Sequence, residues 1–145
     1  MKAPTRPLLR YHGGKWMLAP WIIRHLPRHR IYVEPFGGAA SVLLRKPRSY
    51  AEVYNDLDGE VVNLFRVVRD QPAALTRAVV WTPWAREELE ISRTADGDPV
   101  ERARRLIARA MMGFGTSGLL TGGRTGFRAK SYRRTNSGAH NGVNY

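Results

Sequence analysis

Two short runs in this chain carry residue types that could hold a small organic ligand. In the first, Tyr32-Val33-Glu34-Pro35-Phe36-Gly37-Gly38-Ala39-Ala40-Ser41, an apolar stretch ends in an acid, turns on two glycines and enters small residues. In the second, Tyr54-Asn55-Asp56-Leu57-Asp58, another apolar stretch ends in an acid. Glycines let a backbone approach a ligand where a side chain would intervene, and a carboxylate can accept from ribose hydroxyls. In order, the two runs have the form of a β-turn-α-β nucleotide pocket. Gly37-Gly38-Ala39-Ala40 lacks the G-x-G-x-x-G spacing that grips a pyrophosphate. That argues against a nicotinamide-linked oxidoreductase and for a ligand without a pyrophosphate. A third segment, Tyr11-His12-Gly13-Gly14-Lys15, adds a ring that can stack on a planar base and an ammonium that can meet a carboxylate. Each residue alone has a plainer reading, Tyr11 as core and Asp56 as a helix cap or turn aspartate.

The elements that must carry these groups follow from periodicity and stop signals. Residues 1–14 read as extended and close in the His12-Gly13-Gly14 turn. Residues 15–26 read as a short helix with Trp16, Leu18, Trp21, Ile22 and Leu26 as apolar positions and Pro27 as its stop; Pro20 can kink it or delay its start. Strands are expected over residues 31–34 and 50–54, with a helix over 39–45 between them. A helix capped by Asp58 follows, its apolar face made of Val61, Val62, Leu64, Phe65 and Val68. Thr82-Pro83 is expected to open another, with Thr82 as cap and Glu87 and Glu88 near its positive end. Asp98-Pro99-Val100-Glu101 has capping-box spacing and starts a helix that turns Leu106, Ile107, Ala110 and Met111 inward and Arg102, Arg105 and Arg109 outward. Beyond Met112 glycines dominate; Thr121-Gly122-Gly123-Arg124 could turn a small hairpin, and residues 131–145 are expected to be mobile.

Charge and composition narrow the setting. The chain has 145 residues and a net charge of +12, and all its acids lie between Glu34 and Glu101, so both flanks carry only basic residues. Flanks of one sign suit a polyanion, most simply nucleic acid, although a general arginine bias would produce the same excess. No window approaches eighteen unbroken apolar residues, so no membrane span is expected. Met1-Lys2-Ala3-Pro4-Thr5-Arg6 leads into mixed polar sequence and cysteine is absent, which together read as cytoplasmic. The four histidines show no metal-ligand spacing.

The three ligand-type segments, in this order and spacing, resemble the Dam family of DNA adenine methyltransferases. That family carries an aromatic-x-Gly-Gly-Lys segment, a Glu-Pro-Phe-x-Gly-Ala-x-Ser turn and an aspartate after the next strand. Their counterparts here are Tyr11 with Gly13-Gly14-Lys15, the run from Glu34 to Ser41, and Asp56. The resemblance implies S-adenosyl-L-methionine as cofactor, with Tyr11 and Lys15 in contact with it, Phe36 and Gly38 lining its pocket, and Asp56 holding its ribose. Fainter likeness to the family's recognition region runs through Met112-Gly113-Phe114-Gly115-Thr116-Ser117-Gly118-Leu119 and Gly123-Arg124-Thr125-Gly126-Phe127-Arg128. It implies Arg124, Arg128 and Lys130 as contacts to double-stranded DNA; a solvated basic loop is the alternative. The chain departs from the family in having Tyr11 for the usual tryptophan, His12 for alanine, and Ala40 where glycine is frequent, a small residue expected still to fit a helix start.

The family's catalytic tetrapeptide, Asp/Asn-Pro-Pro-Tyr/Phe, orients the adenine amine and stacks on the flipped base. These 145 residues contain no Pro-Pro pair, so no catalytic residue is assigned. The expected fold is α/β: a partial Rossmann-like methyltransferase sheet within a cofactor-binding part over residues 1–58, then a mainly helical target-recognition region over 59–130 and a truncated tail over 131–145. By this resemblance the chain is expected to be the N-terminal portion of an adenine methyltransferase and to be inactive alone, with a second polypeptide as one source of the catalytic half. The full enzyme would move a methyl group from sulfonium to amine in one in-line displacement. The competing expectation is a small basic nucleic-acid-binding protein without cofactor, in which Gly37-Gly38 is only a tight turn.

Overall fold

The computed structural model describes residues 4–113, a mixed α/β arrangement with two parallel strands and five helices among those residues. Helix α1 (Ala19–Arg24) carries Pro20 in its first turn. A proline ring fits only there, so it delays the helix by four residues relative to the periodic pattern instead of kinking it. Leu18 and Trp21 are consequently exposed rather than inward.

Strands β1 (Ile31–Glu34) and β2 (Ala51–Tyr54) pair in parallel, Ile31 opposite Ala51 and Glu34 opposite Tyr54. Parallel pairing puts both carboxyl ends at the same edge, so the Pro35-Phe36-Gly37-Gly38 turn lies beside Asn55 and Asp56. Side chains alternate across a strand. Tyr32, Glu34 and Tyr54 share the half-buried face, with the Tyr54 ring 4.9 Å from Phe65. Ile31, Val33 and Val53 share the other face and are exposed.

The helix expected over residues 39–45 is replaced by a succession of turns. Ala40 adopts φ +50°, a left-handed conformation that no α-helix can run through and that costs a non-glycine residue about 1–2 kcal/mol. The Glu34 carboxylate accepts the Leu43 N–H at 2.9 Å, and only isolated helical bonds remain, such as Leu44 N–H to the Ala40 carbonyl at 2.9 Å.

The helical part builds the core. Helix α2 (Gly59–Asp70) begins at Asp58, whose carboxylate accepts the Glu60 N–H at 3.0 Å, and buries Val61, Leu64 and Val67 at helical spacing. Helix α3 (Pro72–Val80) follows at once and buries Leu75. Helix α4 (Arg86–Ile91) starts beyond the expected position, and Thr82 does not cap it. The Thr82 hydroxyl donates to the Ala78 carbonyl at 2.8 Å and accepts from Arg104 Nη1 at 3.1 Å.

Helix α5 (Pro99–Met112) starts where the capping signal places it, Asp98 Oδ1 accepting from Val100 N at 2.8 Å and Glu101 N at 3.0 Å. Ala103, Leu106 and Ala110 on α5 pack with the buried side chains of α2 and α3, joined by Leu9 and Ala39. Each fully buried leucine in that cluster, Leu64 and Leu106 among them, contributes roughly 1.5–3 kcal/mol. At the end of α5 the inward methionine is Met112, and Met111 is exposed, one residue out of phase with the expected stripe. Arg104 is buried and shared between Glu101 and Glu88, which pins α4 to α5. Among the described residues no helix is long and apolar enough to cross a membrane.

Candidate binding cleft

At the carboxyl ends of β1 and β2 lies a cleft of about 410 Å³ lined by residues 11–15, 33–39, 41 and 42. That volume is in the range of a nucleoside-sized ligand site. Its walls come from two of the three segments that the residue types single out, and the third reaches it through one glycine.

Gly38 is the meeting point. It has φ +49°, and a Cβ there would stand 2.8 Å from the Tyr11 ring, so the position requires glycine twice over. The Gly38 N–H donates to Asp56 Oδ2 at 2.8 Å, and the Tyr54 hydroxyl donates to the Gly38 carbonyl at 2.7 Å. Asp56 does not itself line the cleft. Its other oxygen accepts the Asp58 N–H at 2.9 Å, so both oxygens are engaged by backbone. Each carboxylate oxygen retains a second lone-pair direction, which leaves Asp56 able to accept from a further hydroxyl.

Tyr11 and Lys15 also line the cleft. The Gly14 N–H closes the turn on the Tyr11 carbonyl at 3.0 Å, and Lys15 Nζ donates to the Gly13 carbonyl at 2.6 Å. Burial, then the carboxylates of Asp56 and Asp58, push the Tyr11 phenol up to about 12, so the ring stays neutral at physiological pH. The segment is latched to the far side of the glycine turn by Arg45, whose guanidinium donates to the Trp16 carbonyl at 2.6 Å and lies 4.9 Å from the Trp16 ring centroid. Phe36 lines the cleft with its ring 80% exposed.

One group was not given a role by sequence reasoning. Glu34 lines the cleft, and its Oε1 accepts from the Tyr32 hydroxyl at 2.8 Å and from Leu43 N–H. Its Oε2 is buried and has no hydrogen-bond partner among the described residues. A buried carboxylate oxygen without a donor is costly, which sets Glu34 apart from the other residues that line the cleft. The signal in the sequence was an acid ending an apolar strand; the missing donor appears only in three dimensions. The structure therefore brings Tyr11, Lys15, Phe36 and Gly38 to one cleft and Asp56 to its edge. Arg124, Arg128 and Lys130, the hairpin over residues 121–124 and the tail over 131–145 lie outside the described residues.

A family model described as D12 class N6 adenine-specific DNA methyltransferase matches residues 11–135. Among curated proteins, a DNA adenine methylase of Serratia marcescens is 38% identical over 65 residues, covering 45% of this chain and 24% of that protein. A DNA adenine methylase of Vibrio cholerae serotype O1 is 36% identical over 69 residues, 48% of this chain and 24% of its own length. The Escherichia coli (strain K12) DNA adenine methylase is 38% identical over 65 residues, 45% of this chain and 23% of its own. The chain thus spans about a quarter of the length of the relatives it matches.

Proposed function

The chain belongs to the D12 class of N6 adenine-specific DNA methyltransferases, and from that premise we propose that residues 1–58 form the S-adenosyl-L-methionine-binding part of an enzyme that methylates the exocyclic amine of adenine in DNA. The observation that carries this reading is the convergence of Tyr11, Gly38 and Asp56, with the Gly38 N–H on the Asp56 carboxylate at 2.8 Å and the Tyr11 ring against Gly38. The residues present suit the cofactor's chemistry. The Glu34 carboxylate, which lines the cleft, matches its cationic end. The Lys15 ammonium matches its carboxylate, the Tyr11 and Phe36 rings its base, and Asp56 its ribose. When bound, the cofactor supplies an electrophilic methyl group on a sulfonium. The chain's own part is to orient it and exclude water, which lowers the barrier to displacement through position alone.

The two strands are then part of a Rossmann-like methyltransferase sheet, and residues 59–130 a target-recognition region. Arg124, Arg128 and Lys130 contact phosphates of double-stranded DNA, where charge supplies affinity without sequence information. The tetrapeptide that would orient the adenine is missing from these 145 residues, so the chain alone binds cofactor without transferring methyl, and a second polypeptide is one source of the missing group. Equilibrium dialysis with S-adenosylmethionine, run beside tritium transfer to an adenine-containing duplex, separates the possibilities. Cofactor binding without transfer is the expected result. Transfer by the 145-residue protein overturns the division of labour. DNA binding with no cofactor binding favours the cofactor-free nucleic-acid binder instead.

A further inference from the structure

We infer that Tyr54 is a positioning residue for the cleft, holding the Gly38 peptide in its left-handed turn through a hydroxyl hydrogen bond and occupying space that only a glycine at position 37 leaves open. This rests on the reading of the cleft as a cofactor site. Three consecutive residues at the carboxyl end of β2 grip the turn that follows β1. Tyr54 donates to the Gly38 carbonyl at 2.7 Å, the Asn55 carbonyl accepts the Gly37 N–H at 2.9 Å, and Asp56 accepts the Gly38 N–H at 2.8 Å. Both polar groups of residue 38 are thereby held by side chains two positions apart on one strand end. The turn's shape is imposed by β2 and not by the glycines themselves, which would otherwise sample many conformations.

The ring does as much as the hydroxyl. A Cβ on Gly37 would run into Tyr54 Cε2 and lie 2.5 Å from Cδ2, an overlap that non-bonded carbons do not tolerate. On its other side the ring meets Phe65 of α2 with centroids 4.9 Å apart. Position 37 and position 54 are therefore a size-matched pair, and α2 backs the cleft through the Tyr54 ring. Burial, then the charges of Asp56 and its neighbours, push the Tyr54 phenol up, so its O–H remains a donor at physiological pH.

Tyr54→Phe keeps the ring and its packing and deletes only the bond to Gly38. In the full chain, calorimetric titration with S-adenosylmethionine should show affinity weakened about three- to tenfold, as expected for one neutral hydrogen bond. The Gly38 amide signal in a ¹⁵N spectrum should move and lose protection from exchange, while the signals of α5 stay in place. Gly37→Ala should weaken cofactor binding in the wild-type background and recover part of it when combined with Tyr54→Ala, since the smaller residue removes the overlap. That recovery is a coupling that two independent structural lesions would not produce. Wild-type affinity in Tyr54→Phe with an unmoved Gly38 amide overturns the inference and leaves the cofactor reading intact. No binding by the wild-type chain overturns the cofactor reading, and the Gly38 amide then decides the positioning role by itself. Should Tyr54→Phe fail to fold, additive losses in Gly37→Ala and Tyr54→Ala would refute the pairing.

Discussion

Replacing Asp56 separates ligand binding from turn-building better than any other change. Its carboxylate accepts the Gly38 N–H at 2.8 Å and the Asp58 N–H at 2.9 Å, and in the proposed complex it also accepts from ribose. A hydrogen bond to a charged group contributes roughly 1.5–3 kcal/mol, so removing the ribose bond alone weakens binding roughly ten- to 150-fold. Asp56→Ala also frees the Gly38 N–H and loosens the turn, which should place its effect at the upper end of that range or beyond. Asp56→Asn keeps one acceptor oxygen and should fall between alanine and wild type. Neither change touches the buried side chains of α2, α3 and α5, so the thermal midpoint should fall modestly and duplex affinity should hold within about twofold. Calorimetry with S-adenosylmethionine, fluorescence anisotropy with a labelled duplex and thermal unfolding read the three quantities. The reasoning fails if Asp56→Ala binds the cofactor like wild type, or if cofactor and DNA affinity drop together by the same factor.

Further expectations follow from the same geometry. Leu64 is fully buried where α2 meets α5, so Leu64→Ala should lower stability by roughly 2–5 kcal/mol in urea unfolding; a drop under about 1 kcal/mol would mean that this core is not formed. The Glu101 carboxyl is pulled down to about 2, first by its bond to Arg104 and then by Arg105 against the opposing effect of burial. Its folded value lies below the ordinary 4.5, so its contribution is complete above pH 4.5 and is lost as pH falls toward 2. Glu101→Gln should flatten the acid limb of the stability profile in that window, and an unchanged limb would place the acid sensitivity elsewhere. Duplex affinity should fall steeply with salt, and replacing Arg124, Arg128 and Lys130 by alanine should reduce the slope of log K against log salt by roughly 0.9 for each phosphate no longer neutralised. A slope that does not change would remove those residues from the interface.

What the sequence made legible, and what it concealed, divides along a physical line. Strand β1 was readable to its bounds because an apolar run ends in an acid and a proline. Asp58 and Asp98 were readable as caps because capping is a local act, fulfilled by N–H groups two and three residues on. The convergence of Gly38 and Asp56 was readable because two parallel strands must end side by side. Helix α3 escaped because it buries only Leu75, too little for a periodic stripe. The failure of the helix over residues 39–45 has its cause in the left-handed backbone of Ala40, which an alanine's identity does nothing to announce. Thr82 had the type of a cap but a partner 22 residues away in Arg104. The hydrogen bond from Tyr54 to the Gly38 carbonyl likewise joins residues distant in the chain.

The central claim is that one cleft, bounded by the Tyr11 segment and the glycine turn, receives the adenosyl group. Ultraviolet cross-linking of tritiated S-adenosylmethionine to the full chain, followed by peptide mapping, locates that group directly. Label should appear on peptides containing Tyr11 or Phe36 and vanish with excess unlabelled cofactor. Label concentrated beyond residue 58, or incorporation that unlabelled cofactor does not compete away, would contradict the account.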